Sequence, residues 1–233
     1  MIYDRPTDSL FVEDKLTPLT EAEAAYHLRE AYKELTGHYP KLESLAIVWA
    51  QSALEVYRWK SIHNNNWGNI KRLKDQPYTS YKCSEIINGK NTWFFPYHPQ
   101  TFFASWDSAT EGAKAYLNFL YSRPRYAEAW KEIEAGNPVK YSAALKRAGY
   151  YTADLVGYTK GVVSLTNEFK SKSEALLSYQ PPKPQEEIIP PPLFPEVNFD
   201  KLEENNLPTD PIKEPSFGFS YIIEIIKKLF NIG

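Results

Sequence analysis

The sequence predicts an α+β fold, mainly α, with a small β-hairpin lobe, a Pro-rich tether and a short amphipathic helix at its C-terminal end. Three observations lead there. Apolar residues recur at three- and four-residue spacing in several stretches, two of which open with a capping box. Residues 76–104 instead collect strand-prone aromatic and β-branched side chains around an Asn88-Gly89 pair. Residues 180–216 hold most of the chain's 18 prolines, too many for a packed domain.

Taken in order, residues 1–19 read as an irregular lead-in. Thr20 and Glu23 form the first capping box, opening a helix that buries Ala24, Leu28, Ala31 and Leu35 and stops at Gly37. A turn at His38-Tyr39-Pro40 leads to a second helix, whose buried face carries Leu45, Ala46, Trp49, Ala53 and Val56. An Asn/Gly-rich loop, Asn64 to Asn69, follows. The strand-prone run then predicts one antiparallel hairpin or a three-stranded lobe, with Glu85 on the same face as Tyr81, Cys83 and Ile87. Ser108 and Glu111 make the second capping box, for a helix running to about Tyr121 with Ala109, Ala113, Tyr116, Leu117 and Leu120 inward. Pro124 and Asn137-Pro138 start two further helices, ended by Gly136 and Gly149. Thr152 and Asp154 cap a last one over about 155–170. The resulting organisation is a lead-in (1–19), a folded domain (20–178), a linker (179–216) and a helix (217–233). That terminal helix places Ile222, Ile225, Ile226 and Leu229 on one face, with Glu224 and Lys228 spaced for an ion pair on the other. Too short to stand alone in water, it has to dock: on a partner or in a self-assembly, on its own domain, or on a membrane surface.

Composition narrows the chemistry. A net charge of −2 with no sustained Lys/Arg face argues against a nucleic-acid partner. The lone Cys83 excludes an internal disulfide, and four scattered histidines lack metal-ligand spacing, so no metal or other cofactor is expected. No run of about 18 apolar residues predicts a membrane span. The N-terminus lacks a secretory signal pattern, so a wall-directed protein would rely on a virion or another component for delivery. Phosphate-loop, dinucleotide, nucleophile-elbow and zinc-protease motifs are absent from the sequence.

The residue with most chemical promise is Glu55, at the end of the second helix and followed by Val56, Tyr57, Arg58 and Trp59. Apolar neighbours disfavour the charged carboxylate, and so does the negative end of the helix dipole. A carboxyl that keeps its proton near neutral pH can protonate a leaving oxygen. A solvated glutamate at a helix end is the competing interpretation. Aromatic faces also suit sugar rings, which draws attention to Trp59, Trp67, Trp93 and Tyr97, although most aromatic side chains in any domain serve the core.

The string A-Q-S-A-L-E ending at Glu55, then W-K-S and N-N-x-W-G-N-I-K, resembles the active-site helix and loop of the lysozyme-like glucosaminidases, glycoside hydrolase family 73. Three further phrases resemble that family in the same order: F-F-A-S-W-D-S at 102–108, R-Y with Trp130, and A-G-Y-Y-T-A-D at 148–154 with Tyr158 and Lys160. The resemblance spans about residues 20–170. It implies a two-lobed domain whose groove takes a peptidoglycan glycan strand. It implies Glu55 as catalytic acid, Glu85 as a second carboxylate on the β-lobe and Tyr150 as a phenol facing the acid. Asn66, Trp67 and Asn69 of that loop, together with the aromatic Trp93 and Tyr97, are the candidate substrate-binding residues. Where the family usually has Ser or Thr and then Gly after its acid, this chain has Val56 and Tyr57. The expected activity is endo-β-N-acetylglucosaminidase. A muramidase or lytic transglycosylase of the same fold, or a non-enzymatic glycan-binding part of a virion or wall assembly, stays open beside it. A bacteriolytic, virion-associated or endolysin role, with an assembly partner held through residues 180–233, is the expected setting.

Overall fold

A computed structural model describes residues 3–87 and 90–182. The Asn88-Gly89 pair, the tether beyond residue 182 and the helix expected over 217–233 lie outside the described residues.

The described chain is mainly helical. Helix α1 (Glu21–Thr36) opens with the Thr20–Glu23 capping box, in which each side chain bonds the other's backbone N–H, and closes on Gly37 at φ 85°. Helix α2 (Leu42–Glu55) departs from the single buried face read in its sequence: every residue from Ser44 to Glu55 is buried. Its small residues Ala46, Ala50 and Ala53 allow neighbours on all sides. Helix α3 (Ala109–Tyr121) has the second capping box, Ser108 with Glu111. A single 3-10 turn, Pro124–Tyr126, precedes α4 (Ala127–Glu134), and α5 (Pro138–Arg147) follows with Asn137 as its N-cap. Asp154 caps α6 (Leu155–Ser171), and a short α7 (Ser173–Leu177) ends the described helices. Helix α2 is central, packed on α6, α1 and α4, while α1 also packs on α3. Each large apolar side chain buried there, such as Trp49, Leu54 or Phe169, contributes about 1.5–3 kcal/mol.

The β region holds the expected antiparallel hairpin and, in place of a third strand added to it, a second, separate antiparallel pair. Strand β1 (Tyr78–Ser80) pairs with β4 (Phe102–Ala104), and β2 (Cys83–Ile87) pairs with β3 (Lys90–Phe94). The first pair is buried and continues into the helical core; Tyr78, Phe103 and Ala104 are at most 2% exposed. The second projects, with Trp93 and Ile87 about half exposed.

The lead-in is bonded along the domain although it forms no helix. Val12 N–H donates to Tyr78 O at 2.9 Å, Thr17 N–H to Ile62 O at 2.8 Å and Leu19 N–H to Trp59 O at 3.1 Å. No helix among the described residues is long and apolar enough to cross a membrane.

Two contacts fix the loop between α2 and β1. The first is Gly112 on α3, which faces that loop's backbone: a Cβ there would lie 1.8 Å from Asn65 O and 3.0 Å from Trp67 Cδ1. The second is Arg58, which bonds Glu168 on α6 at 2.5 and 3.1 Å and also pairs with Glu21 on α1. These bonds, chiefly that from Arg58, hold the Glu168 carboxyl well below its usual 4.5, at about 2.

Two outcomes follow. Gly112→Ala should lower the unfolding free energy by about 1–3 kcal/mol in urea titration, because backbone and not a flexible side chain must move; an unchanged midpoint would show that the loop yields freely. Glu168 has a depressed folded pKa, so its contribution is complete above about 4.5 and is lost as pH falls towards about 2. Thermal midpoints should therefore drop through that window, and the drop should be shallower in Arg58→Met. Parallel curves for the two proteins would count against the clamp.

Candidate active site

Glu55 is the last residue of α2. Beyond it Val56 caps the helix at φ −125°, and Tyr57, Arg58 and Trp59 then take φ of 48°, 50° and 60°. Three consecutive non-glycine residues in left-handed conformation are costly, about 1–2 kcal/mol each. The cost is met by what they anchor. Arg58 N–H donates to Ala53 O at 2.8 Å, and its guanidinium clamps two helices. Trp59 is fully buried, packs on Trp49 with ring centres 4.7 Å apart, and donates its indole N–H to Ser52 Oγ at 3.1 Å. Tyr57 stands where the resembled family has Gly, and a glycine would enter its backbone conformation without cost.

The turn leaves Glu55 only 3% exposed. Its Oε1 accepts two hydrogen bonds, from Tyr150 Oη at 2.6 Å and Gln51 Nε2 at 2.7 Å. Among the described residues none donates to Oε2. Around the carboxyl stand four fully buried tyrosines: Tyr116 from α3, Tyr141 from α5, Tyr150 just after α5 and Tyr158 from α6. Burial pushes the Glu55 carboxyl up to about 7, against the opposing pull of the bonds from Tyr150 and Gln51. The same burial, with Glu55 and the other phenols adding to it, holds all four tyrosines well above their usual range. The group therefore exchanges a proton near neutral pH, which suits general acid work.

Glu85 lies on β2, ion-paired to Lys71 at 2.9 Å. It lines a small cavity with Ser61, His63, Asn69, Tyr81 and Phe103. Three of these rings stack in sequence: His63 on Tyr81 at 4.0 Å and Tyr81 on Phe103 at 4.2 Å. Glu55 is not among the residues that line this cavity.

The predicted binding loop divides. Asn69 lines the Glu85 cavity and accepts from Tyr81 Oη at 3.0 Å. Asn66 and Trp67, expected to touch substrate, are fully buried instead. The Asn66 amide donates to Ile70 O and Ala104 O at 2.9 Å each and accepts from Ile70 N–H at 2.8 Å, so it closes the loop onto β4. Trp67 packs beside Gly112, its Cδ1 3.0 Å from where a Cβ would stand. Trp93 is 46% exposed, with Lys82 Nζ 4.4 Å from its ring centre, and Tyr97 packs its edge on Phe11 at 5.8 Å. Neither lines the Glu85 cavity.

Sequence reasoning missed Gln51, Tyr116, Tyr141 and Lys71. Gln51 carried a signal, since a residue four before Glu55 on a helix lies on the same face. The helical spacing points Tyr116 inward without linking it to an acid, and nothing in the sequence singles out Tyr141. Among the described residues no group of three His, Cys, Asp or Glu side chains could hold a metal ion.

No family model matches the chain, and no curated protein matches it in sequence. Solved structures do. The chain is similar to the glycoside hydrolase domain of FlgJ from Salmonella typhimurium, at 20% identity over 68% of this chain and 93% of that one, with a TM-score of 0.47. It is also similar to a peptidoglycan hydrolase from Sphingomonas sp. A1, at 18% identity over 70% of this chain and 99% of that one, with a TM-score of 0.48.

Proposed function

We propose that the chain is a glycoside hydrolase that cleaves β-1,4 bonds of peptidoglycan on the N-acetylglucosaminyl side, with Glu55 as general acid. One observation carries the reading. A single carboxyl, last in its helix, is buried among phenols; burial raises it to about 7, and both of its donors bond the same oxygen. The motifs around it, A-Q-S-A-L-E and A-G-Y-Y-T-A-D, resemble those of a peptidoglycan-cleaving family, and the fold brings the two phrases together through the Tyr150–Glu55 bond.

In the proposed step the C1–O bond breaks and the leaving oxygen takes the proton of Glu55. The oxygen of a water, or first that of the substrate's own acetamido group, bonds to C1, and the water's proton is released. Tyr150 holds the carboxyl in place by its 2.6 Å bond. Glu85, on β2 and ion-paired with Lys71, is the carboxylate assigned in this reading to stabilise positive charge on the sugar ring or to receive the water's proton. Residues 180–233 would carry the domain to the wall by docking on an assembly partner.

Glu55→Gln should reduce clearing of purified sacculi at least about 100-fold, the scale of a lost general acid, with an unchanged thermal midpoint. The acid must be protonated to act, so wild-type activity should fall as pH rises through about 7. Product masses should show a reducing N-acetylglucosamine end. Undiminished clearing by Glu55→Gln would remove Glu55 from its role, and a reducing muramic acid or 1,6-anhydro end would move the cut to the neighbouring bond.

A further inference from the structure

A side-chain amide has two ends of nearly equal shape and opposite hydrogen-bonding character. The Gln51 amide lies between two groups. Tyr158 Oη donates to its oxygen at 2.6 Å, and its Nε2 donates to Glu55 Oε1 at 2.7 Å. Gln51, Glu55 and Tyr158 are all buried, on α2 and α6. A phenol is a better donor than acceptor, so it favours the amide orientation that offers it the oxygen, and the nitrogen is then the end that remains for Glu55. With Tyr150 donating to the same Oε1, that oxygen is occupied by two donors and a proton on it would meet an N–H and an O–H head on.

We propose that Gln51, locked by Tyr158, is a positioning residue that keeps the acid proton of Glu55 on Oε2, the oxygen left for the substrate. Without the Tyr158 hydroxyl the amide can turn over. Its oxygen then accepts the Glu55 proton, drawing it onto Oε1 and away from any leaving group. The other titratable groups that face Glu55 are Tyr116 from α3, Tyr141 from α5 and Tyr150 beyond it, phenols that are neutral near pH 7; of these Tyr150 donates to Oε1 and favours the same placement as the amide.

The catalytic consequence rests on the function proposed above; the proton's placement does not. Tyr158→Phe, Gln51→Met and the double variant separate the two. In sacculi assays Tyr158→Phe should lower kcat about tenfold, the worth of one good hydrogen bond, with KM changed less than twofold and the alkaline limb of the pH profile displaced upward. Gln51→Met should do the same, and adding Tyr158→Phe to it should change nothing more, because the phenol acts only through the amide. In parallel, the infrared band of the protonated Glu55 carboxyl, identified by its loss in Glu55→Gln, should shift and persist to higher pH in Tyr158→Phe. Additive effects in the double variant would make Tyr158 a packing residue and overturn the relay, as would a Tyr158→Phe protein that titrates and turns over like wild type. If no form clears sacculi but the infrared pattern is as described, the hydrolase reading fails and the relay stands.

Discussion

Taking a carboxyl out of water without giving it a cation is expensive for its charged form, and the position of Glu55 turns that expense to use. The group sits at the end of the most buried helix, with four phenols and one amide around it. Two hydrogen bonds offset part of the desolvation, and the balance leaves a proton that is held yet can be given up near neutral pH. Most of the surrounding structure serves this one environment. Helix α2 is buried on every side because α6, α1 and α4 all pack on it, and α3, α5 and α6 each bring a tyrosine to its last turn.

The segment after Glu55 shows what holding such a group costs. Three residues in left-handed conformation would not persist in an open loop. They persist here because Arg58 joins α1 and α6 across the turn while Trp59 is sealed beside Trp49. The lead-in adds backbone bonds from outside, to Trp59, Ile62 and the Asn64 region. The loop that follows is held from its other side by the close approach to Gly112 and by the Asn66 amide. Strain at the helix end and rigidity in the loop are two aspects of one arrangement, in which the acid's position is determined by elements distant from it in sequence.

Helix ends were the most legible part of the sequence, since capping is local. Thr20 with Glu23, Ser108 with Glu111, and Gly37, Gly136 and Gly149 all mark boundaries through contacts within a few residues. Strand pairing was read less well: the rich supply of aromatic residues over 76–104 could not show that β1 takes β4, and not β2, as its partner. Glu55 and Tyr150 were legible as candidates because recognisable phrases surround them. Their bond spans 95 positions and depends on packing that no local pattern encodes. Asn66 and Trp67 show the converse error. Polar and aromatic residues in an Asn-rich loop look like ligands for a sugar, yet here the amide satisfies backbone groups and the indole fills a gap in the core.

The account depends above all on the proton affinity of one side chain. Carbon-13 NMR titration of the full chain, labelled at glutamate carboxyls and assigned by comparison with Glu55→Gln, measures it directly. The account predicts a Glu55 midpoint near 7, displaced from the other glutamates. A midpoint among the ordinary carboxyls, near 4.5, would mean that water reaches the group freely and would contradict the account.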